Sequence, residues 1–191
     1  MEAKEFYSAA DCAETGYDCA LRGKVIVLSR QALPEDCRKQ LFFCSGGNGA
    51  NPNPIGRSVL LTSLSDGERY RFNRSDVVGV LKPELLPDSA KLHLSQIRPP
   101  NSLPLEQNEP KYSGYSFLPD GRYASGVWLC SGQEVMDYIE MQRPYQHRIM
   151  ICDRNDFCVL EMQAGQLTYP SEEAMEAYRQ QESQNGGMTM T

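Results

Sequence analysis

Residues 58–73 read SVLLTSLSDGERYRFN. Two strand-like runs, Ser58–Leu64 and Glu68–Asn73, flank Ser65-Asp66-Gly67. Glycine tolerates positive φ and Asp bonds its own backbone, so this stretch is a β-hairpin signal. In the second strand, period two puts Tyr70 and Phe72 on one face and Arg69 and Arg71 on the other. The fold is therefore built on antiparallel strands, and the rest of the chain is read against that hairpin.

Upstream, Val25-Ile-Val-Leu28 is a continuous apolar, β-branched run and reads as a buried strand. Leu41–Cys44 is strand-like and leads into a glycine loop, while residues 33–40 fit one helical turn with Pro34 at its start. Downstream, Val77–Leu81 is a further strand, and Asp88 caps a helix through Ile97. The polar lead, residues 1–20, is helical or loose. Four or five strands and one helix form the first module, residues 21–98.

Residues 98–110 hold four prolines. Proline locks φ and removes a donor, so residues 99–110 read as a semi-rigid linker. A second module, residues 111–183, follows in the order ββαβββα. Tyr112–Phe117 and Arg122–Leu129 flank a Pro-Asp-Gly turn; Ser131-Gly-Gln-Glu134 is a capping box opening a helix that Pro144 closes. Ile149–Cys152 and Phe157–Met162 flank Asp153-Arg-Asn-Asp156, Leu167–Tyr169 follows, and Ser171 starts a last helix. Residues 184–191 form a frayed tail. The fold class expected is α+β: two small modules, each a curved antiparallel sheet with one or two helices.

The net charge of −6 conceals an asymmetry. Residues 21–100 carry twelve Lys/Arg against seven Asp/Glu, a balance of +5; residues 101–191 carry six against thirteen, a balance of −7. Opposed balances favour packing of one module on the other, or different partners for each. No apolar run approaches the roughly 18 residues of a membrane span, and the acidic start lacks the apolar core of a secretory signal. The expected location is cytoplasmic, with no membrane partner. Seven cysteines with no Cys-x-x-Cys spacing read as reduced, mostly buried thiols rather than a zinc site or a disulfide framework.

The loop FCSGGNGANPNPIGRSV, residues 43–59, invites a phosphate-binding reading. Its spacing does not support one. Pro52 stands where a dinucleotide loop needs its third glycine, Asn51 replaces the first glycine of a P-loop, and Arg57 replaces its lysine. No cofactor is expected. The loop remains a candidate recognition loop through Gly47, Asn48, Gly49 and Arg57. A second candidate is the basic face of Arg69, Arg71 and Arg74, which interleaves with aromatics as single-strand nucleic-acid sites do; Lys82 and Lys91 extend it. Alternation sends the aromatics to the face opposite Arg69 and Arg71, which favours a core-filling strand over a stacking platform. Nucleophilic catalysis would require Cys130 or Cys44 to meet His147, with Asp153 as orienting acid. Asp153, Asp156 and Asp120 suit turns better than a cation loop.

The stretches FCSGGNGANPNPIGRSV, GERYRFNRSDVVGVLKPELLPD and RIMICDRNDFCVLEM resemble small uncharacterised accessory proteins of bacterial conjugative elements and phages. The resemblance implies a mobile-element accessory role, and such proteins include inhibitors of host defence systems that act by binding. The expectation is a non-enzymatic protein that binds a protein partner. Nucleic-acid binding through the Arg69–Arg74 strand is the first alternative, and a cysteine-dependent enzyme is the second.

Overall fold

A computed structural model describes residues 4–33, 39–123 and 126–170. Its strands are β1 (Cys12–Thr15), β2 (Val25–Leu28), β3 (Leu41–Gly46), β4 (Ser58–Ser63), β5 (Arg69–Asn73), β6 (Val77–Leu81), β7 (Tyr112–Phe117), β8 (Val127–Leu129), β9 (Arg148–Asp153), β10 (Cys158–Gln163) and β11 (Gln166–Tyr169). The two α-helices are α1 (Asp88–Ser95) and α2 (Gly132–Gln142). The described part is mostly β. It forms a six-stranded sheet in the order β1-β6-β2-β3-β4-β5 and a five-stranded sheet in the order β11-β10-β9-β7-β8, every pairing antiparallel.

The run Val25-Ile-Val-Leu28 is apolar throughout because both faces of β2 are covered. Val25 and Val27 enter the main core, whereas Ile26 and Leu28 enter a second cluster with Phe42, Cys44, Val59 and Leu61. The main core is shared by the two sheets and both helices. Phe43 and Leu81 of the first sheet join Leu94 of α1, Tyr138 and Ile139 of α2, and Ile149 and Ile151 of the second sheet. One continuous core means that the basic and acidic halves are packed together.

Buried polar groups stitch the same seam. Tyr138 Oη donates to Ser95 O at 2.8 Å; since that uses its only proton, Ser116 Oγ, 3.1 Å away, is the donor to Tyr138. Gln142 Nε2 donates to Leu94 O (2.8 Å), and Val25 N–H donates across the sheets to Tyr145 Oη (3.2 Å). Gly114 is required beneath Tyr138: a Cβ there would lie 2.8 Å from the ring.

Two expectations need correction. Residues 1–20 are not merely helical or loose, because Cys12–Thr15 pairs with β6 as an edge strand and brings the first sheet to six strands. The four-residue CAET segment has no alternation to reveal it; Gly79 admits it, since a Cβ there would meet Glu14 O at 2.3 Å. The first helix ends at Ser95 rather than Ile97, and Asp88 is its first residue, with Pro87 in the cap position. The proline-rich segment forms no strand or helix, and its Leu103 N–H donates to Glu134 Oε1 at 2.9 Å. Most of the expected helical turn at residues 33–40 (34–38), the last helix from Ser171 and the tail at 184–191 lie outside the described residues.

Candidate functional site

Among the described residues β5 pairs only with β4 and forms one edge of the first sheet. Tyr70 and Phe72 turn toward Phe42, with ring centroids 5.9 and 5.7 Å away. Arg69 and Arg71 stand on the other face, opposite Thr62 and Leu60. That face belongs to the main core at β2 and β3, but at β4 and β5 it is open, with Leu60 exposed. The chain leaving α1 returns over the opening as a second wall. Between them lies a cleft of about 940 Å³ lined by Arg22, Arg69, Arg71, Arg98, Leu60 and Ile97, together with the Gly46-Gly47 backbone and Pro99-Pro100. Among the described residues no acidic side chain lines it.

The four guanidiniums differ in how far they are neutralised. Arg98 Nη2 sits 2.8 Å from Glu134 Oε2, and its Nε donates to Trp128 O. Glu134 is buried, which pushes its carboxyl up, but donation from Cys130 N–H, Leu103 N–H and Arg98 outweighs burial and holds it below the usual carboxylate range. Arg71 Nε donates to Ser58 Oγ at 2.5 Å, and Arg22 donates to Asn101 Oδ1. Arg69 is exposed, and its guanidinium has no partner among the described residues. The cleft thus holds positive charge that the protein leaves uncompensated.

Comparison with family models, curated proteins and solved structures returned no match for this chain.

The candidate residues divide. Gly47, Arg69 and Arg71 line the cleft; Asn48, Gly49, Arg57 and Arg74 do not. Gly47 and Gly49 answer to packing: Gly47 has φ +99°, and a Cβ would sit 2.4 Å from Ser58 O at Gly47 and 2.7 Å from Arg57 O at Gly49. Asn48 and Arg57 are exposed. Arg74 departs from the expected basic face. It is buried, its guanidinium donating to Gly16 O (2.7 Å), Cys19 O (3.0 Å) and Gly49 O (3.3 Å) and lying over the Tyr17 ring. It ties the glycine loop to the 16–19 turn and cannot share a surface with Arg69. Lys82 is held by Ala10 O and Lys91 by Asp88, both outside the cleft. Arg22 and Arg98 were not singled out from sequence; the +5 balance of residues 21–100 is the only signal that touches them.

The cysteine constellation is not assembled. Arg148 pairs with Phe117 at one end of β7, while Asp153 pairs with Tyr112, and Tyr112 with Leu129, at the other. His147 and Cys130 therefore lie at opposite ends of the second sheet, on the order of 20 Å apart at ~3.3 Å per residue. Asp153 is at the cysteine end. Cys44 belongs to the other sheet, in the cluster behind β3, and burial pushes its thiol up to about 11. Among the described residues no three His, Cys, Asp or Glu side chains are grouped for a metal, and no helix is long and apolar enough to cross a membrane.

Proposed function

We propose that this chain is a binding protein that engages an acidic surface of a partner protein in the arginine-lined cleft. The observation that carries the reading is the convergence of Arg22, Arg69, Arg71 and Arg98 on one concavity that, among the described residues, has no acid in its lining and no carboxylate partner for Arg69. Buried or half-enclosed guanidiniums recognise carboxylates in bidentate fashion and in a lower effective dielectric than open solvent. A protein partner is favoured over nucleic acid because, among the described aromatic residues, only Tyr70 reaches the cleft, while Phe42 and Phe72 lie behind the arginine face and offer no run of stacking platforms there. Binding without chemistry also accords with the mobile-element accessory role that the sequence resemblance implies, including inhibition of a host defence protein.

The test is fluorescence anisotropy with two labelled probes, poly-glutamate and a 20-mer oligo-dT. Poly-glutamate binds the wild-type protein, and Arg69→Ala with Arg71→Ala weakens it at least fivefold. Equal or tighter binding of the oligonucleotide, dependent on the same two arginines, would replace the protein partner with nucleic acid.

A further inference from the structure

The free edge of β5 carries a second kind of recognition element beside its side chains. Ser63 N–H donates to Glu68 O (2.9 Å) and Arg74 N–H donates to Arg57 O (2.6 Å). In an antiparallel ladder hydrogen-bonded pairs recur every second residue, so within the register Leu61↔Tyr70 and Val59↔Phe72 are the bonded pairs. Arg69 and Arg71 fall between them. Their backbone N–H and C=O groups point away from β4, to an edge that no other strand among the described residues covers. The edge stops at Asn73, whose N–H is taken by Asp76 Oδ2 at 2.9 Å. Two residues thus present unpaired backbone donors and acceptors outward while their guanidiniums point into the cleft.

We propose that an extended acidic segment of a partner protein adds to this edge as a seventh strand, placing carboxylates from alternate positions against Arg69 and Arg71. This rests on the acidic-partner reading above and specifies its form. The spacing is self-consistent: residues two apart on a strand are separated by ~6.6 Å on either chain, so carboxylates at positions i and i+2 meet two arginines at i and i+2. Backbone pairing supplies affinity and the arginines supply register and specificity, as in other cases of strand addition. The opposite wall contains Pro99 and Pro100, which have no N–H to compete for the incoming strand. A second copy of this chain is a poor occupant, because pairing β5 with β5 sets arginine against arginine. The competing reading of the same arginines is protection of a bare edge from pairing with anything.

The experiment uses the full chain and three labelled ten-residue peptides. One has Glu at alternate positions between Val and Thr. A second has the same composition with the Glu residues clustered. A third is the alternating peptide with N-methylated amides on its pairing edge. Binding is read by anisotropy and backbone pairing by amide hydrogen exchange. The alternating peptide binds at least fivefold tighter than the clustered one, N-methylation costs at least tenfold, and the Arg69 and Arg71 amides exchange at least tenfold more slowly in the complex. Equal binding of all three peptides with no amide protection would overturn strand addition while leaving the acidic-partner cleft intact. No binding of any peptide would remove both. Amide protection that rises with protein concentration, peptide absent, would show self-pairing and overturn the proposal.

Discussion

Arg98 and Glu134 form an ion pair of 2.8 Å that joins the end of the basic half to the first turn of α2 in the acidic half. Ser131 caps that helix by accepting the Glu134 N–H, as its Ser-x-x-Glu pattern predicts. The glutamate side chain does not turn back to the Ser131 N–H to complete a capping box; its oxygens are used elsewhere. It also receives the Leu103 and Cys130 N–H groups, so one buried carboxylate fixes the linker, the helix start and one wall of the cleft.

Glu134→Gln should therefore destabilise the protein by about 2–3 kcal/mol, at or just below the lower end of the range for breaking a buried pair because Arg98 keeps some solvent contact. The pH dependence follows in sign. Its carboxyl lies lower in the folded than in the unfolded chain, so its stabilisation is fully present above the ordinary Glu value of about 4.3 and is lost as pH falls through the folded value. Urea midpoints between pH 7 and pH 3 should fall less steeply in the variant than in the wild type.

Arg74→Ala removes a cation that answers three carbonyls in a buried site. The expected loss is about 2–4 kcal/mol, since hydrogen bonds to charged groups are worth roughly 1.5–3 kcal/mol each and do not add fully. Arg74→Lys should recover less than half, because one ammonium cannot span the three acceptors as a planar fork does. Chemical denaturation measures both. A neutral effect of Arg74→Ala would mean that Arg74 is not the tie between the two loops.

At the seam, Tyr138→Phe leaves Ser95 O and Ser116 Oγ without their buried partner and should cost about 1–3 kcal/mol. Gly114→Ala forces a Cβ to within 2.8 Å of the Tyr138 ring, and ring displacement there should cost about 1–3 kcal/mol. Combined, the two changes should be less than additive, because they disturb the same contact.

Burial pushes the Cys44 and Cys12 thiols up to about 11. At pH 8 both are protonated and shielded, so iodoacetamide should label them at least a hundredfold more slowly in the folded protein than in urea. Peptide-resolved mass spectrometry reads this directly. Rapid labelling of Cys44 under native conditions would contradict the buried second cluster.

Much of the scaffold is legible in the residues because local chemistry and long-range packing agree. The Ser-Asp-Gly turn, the four-residue apolar run of β2 and the Ser131 cap of α2 each have one sensible solution. β1 is not legible, since Cys12–Thr15 becomes a strand only by pairing with a segment more than sixty residues away. The cleft was half legible. Period two isolates Arg69 and Arg71 from the aromatics, and it also places residue 74 with Tyr70 and Phe72, the buried side where Arg74 is found. Grouping Arg74 with the other two follows charge and neglects that parity. Arg22 and Arg98 come from a loop and a helix exit, which no local pattern aims at a common point.

The most direct test of the cleft is charge reversal. Arg69→Glu with Arg71→Glu is compared with the wild type and with Arg154→Ala, an exposed arginine in the turn between β9 and β10, using labelled poly-glutamate and poly-lysine. Circular dichroism verifies that each variant is folded. The account predicts that the reversed protein loses poly-glutamate at least tenfold and gains poly-lysine, while Arg154→Ala leaves both unchanged. Poly-glutamate binding that survives the reversal in a folded protein would contradict it.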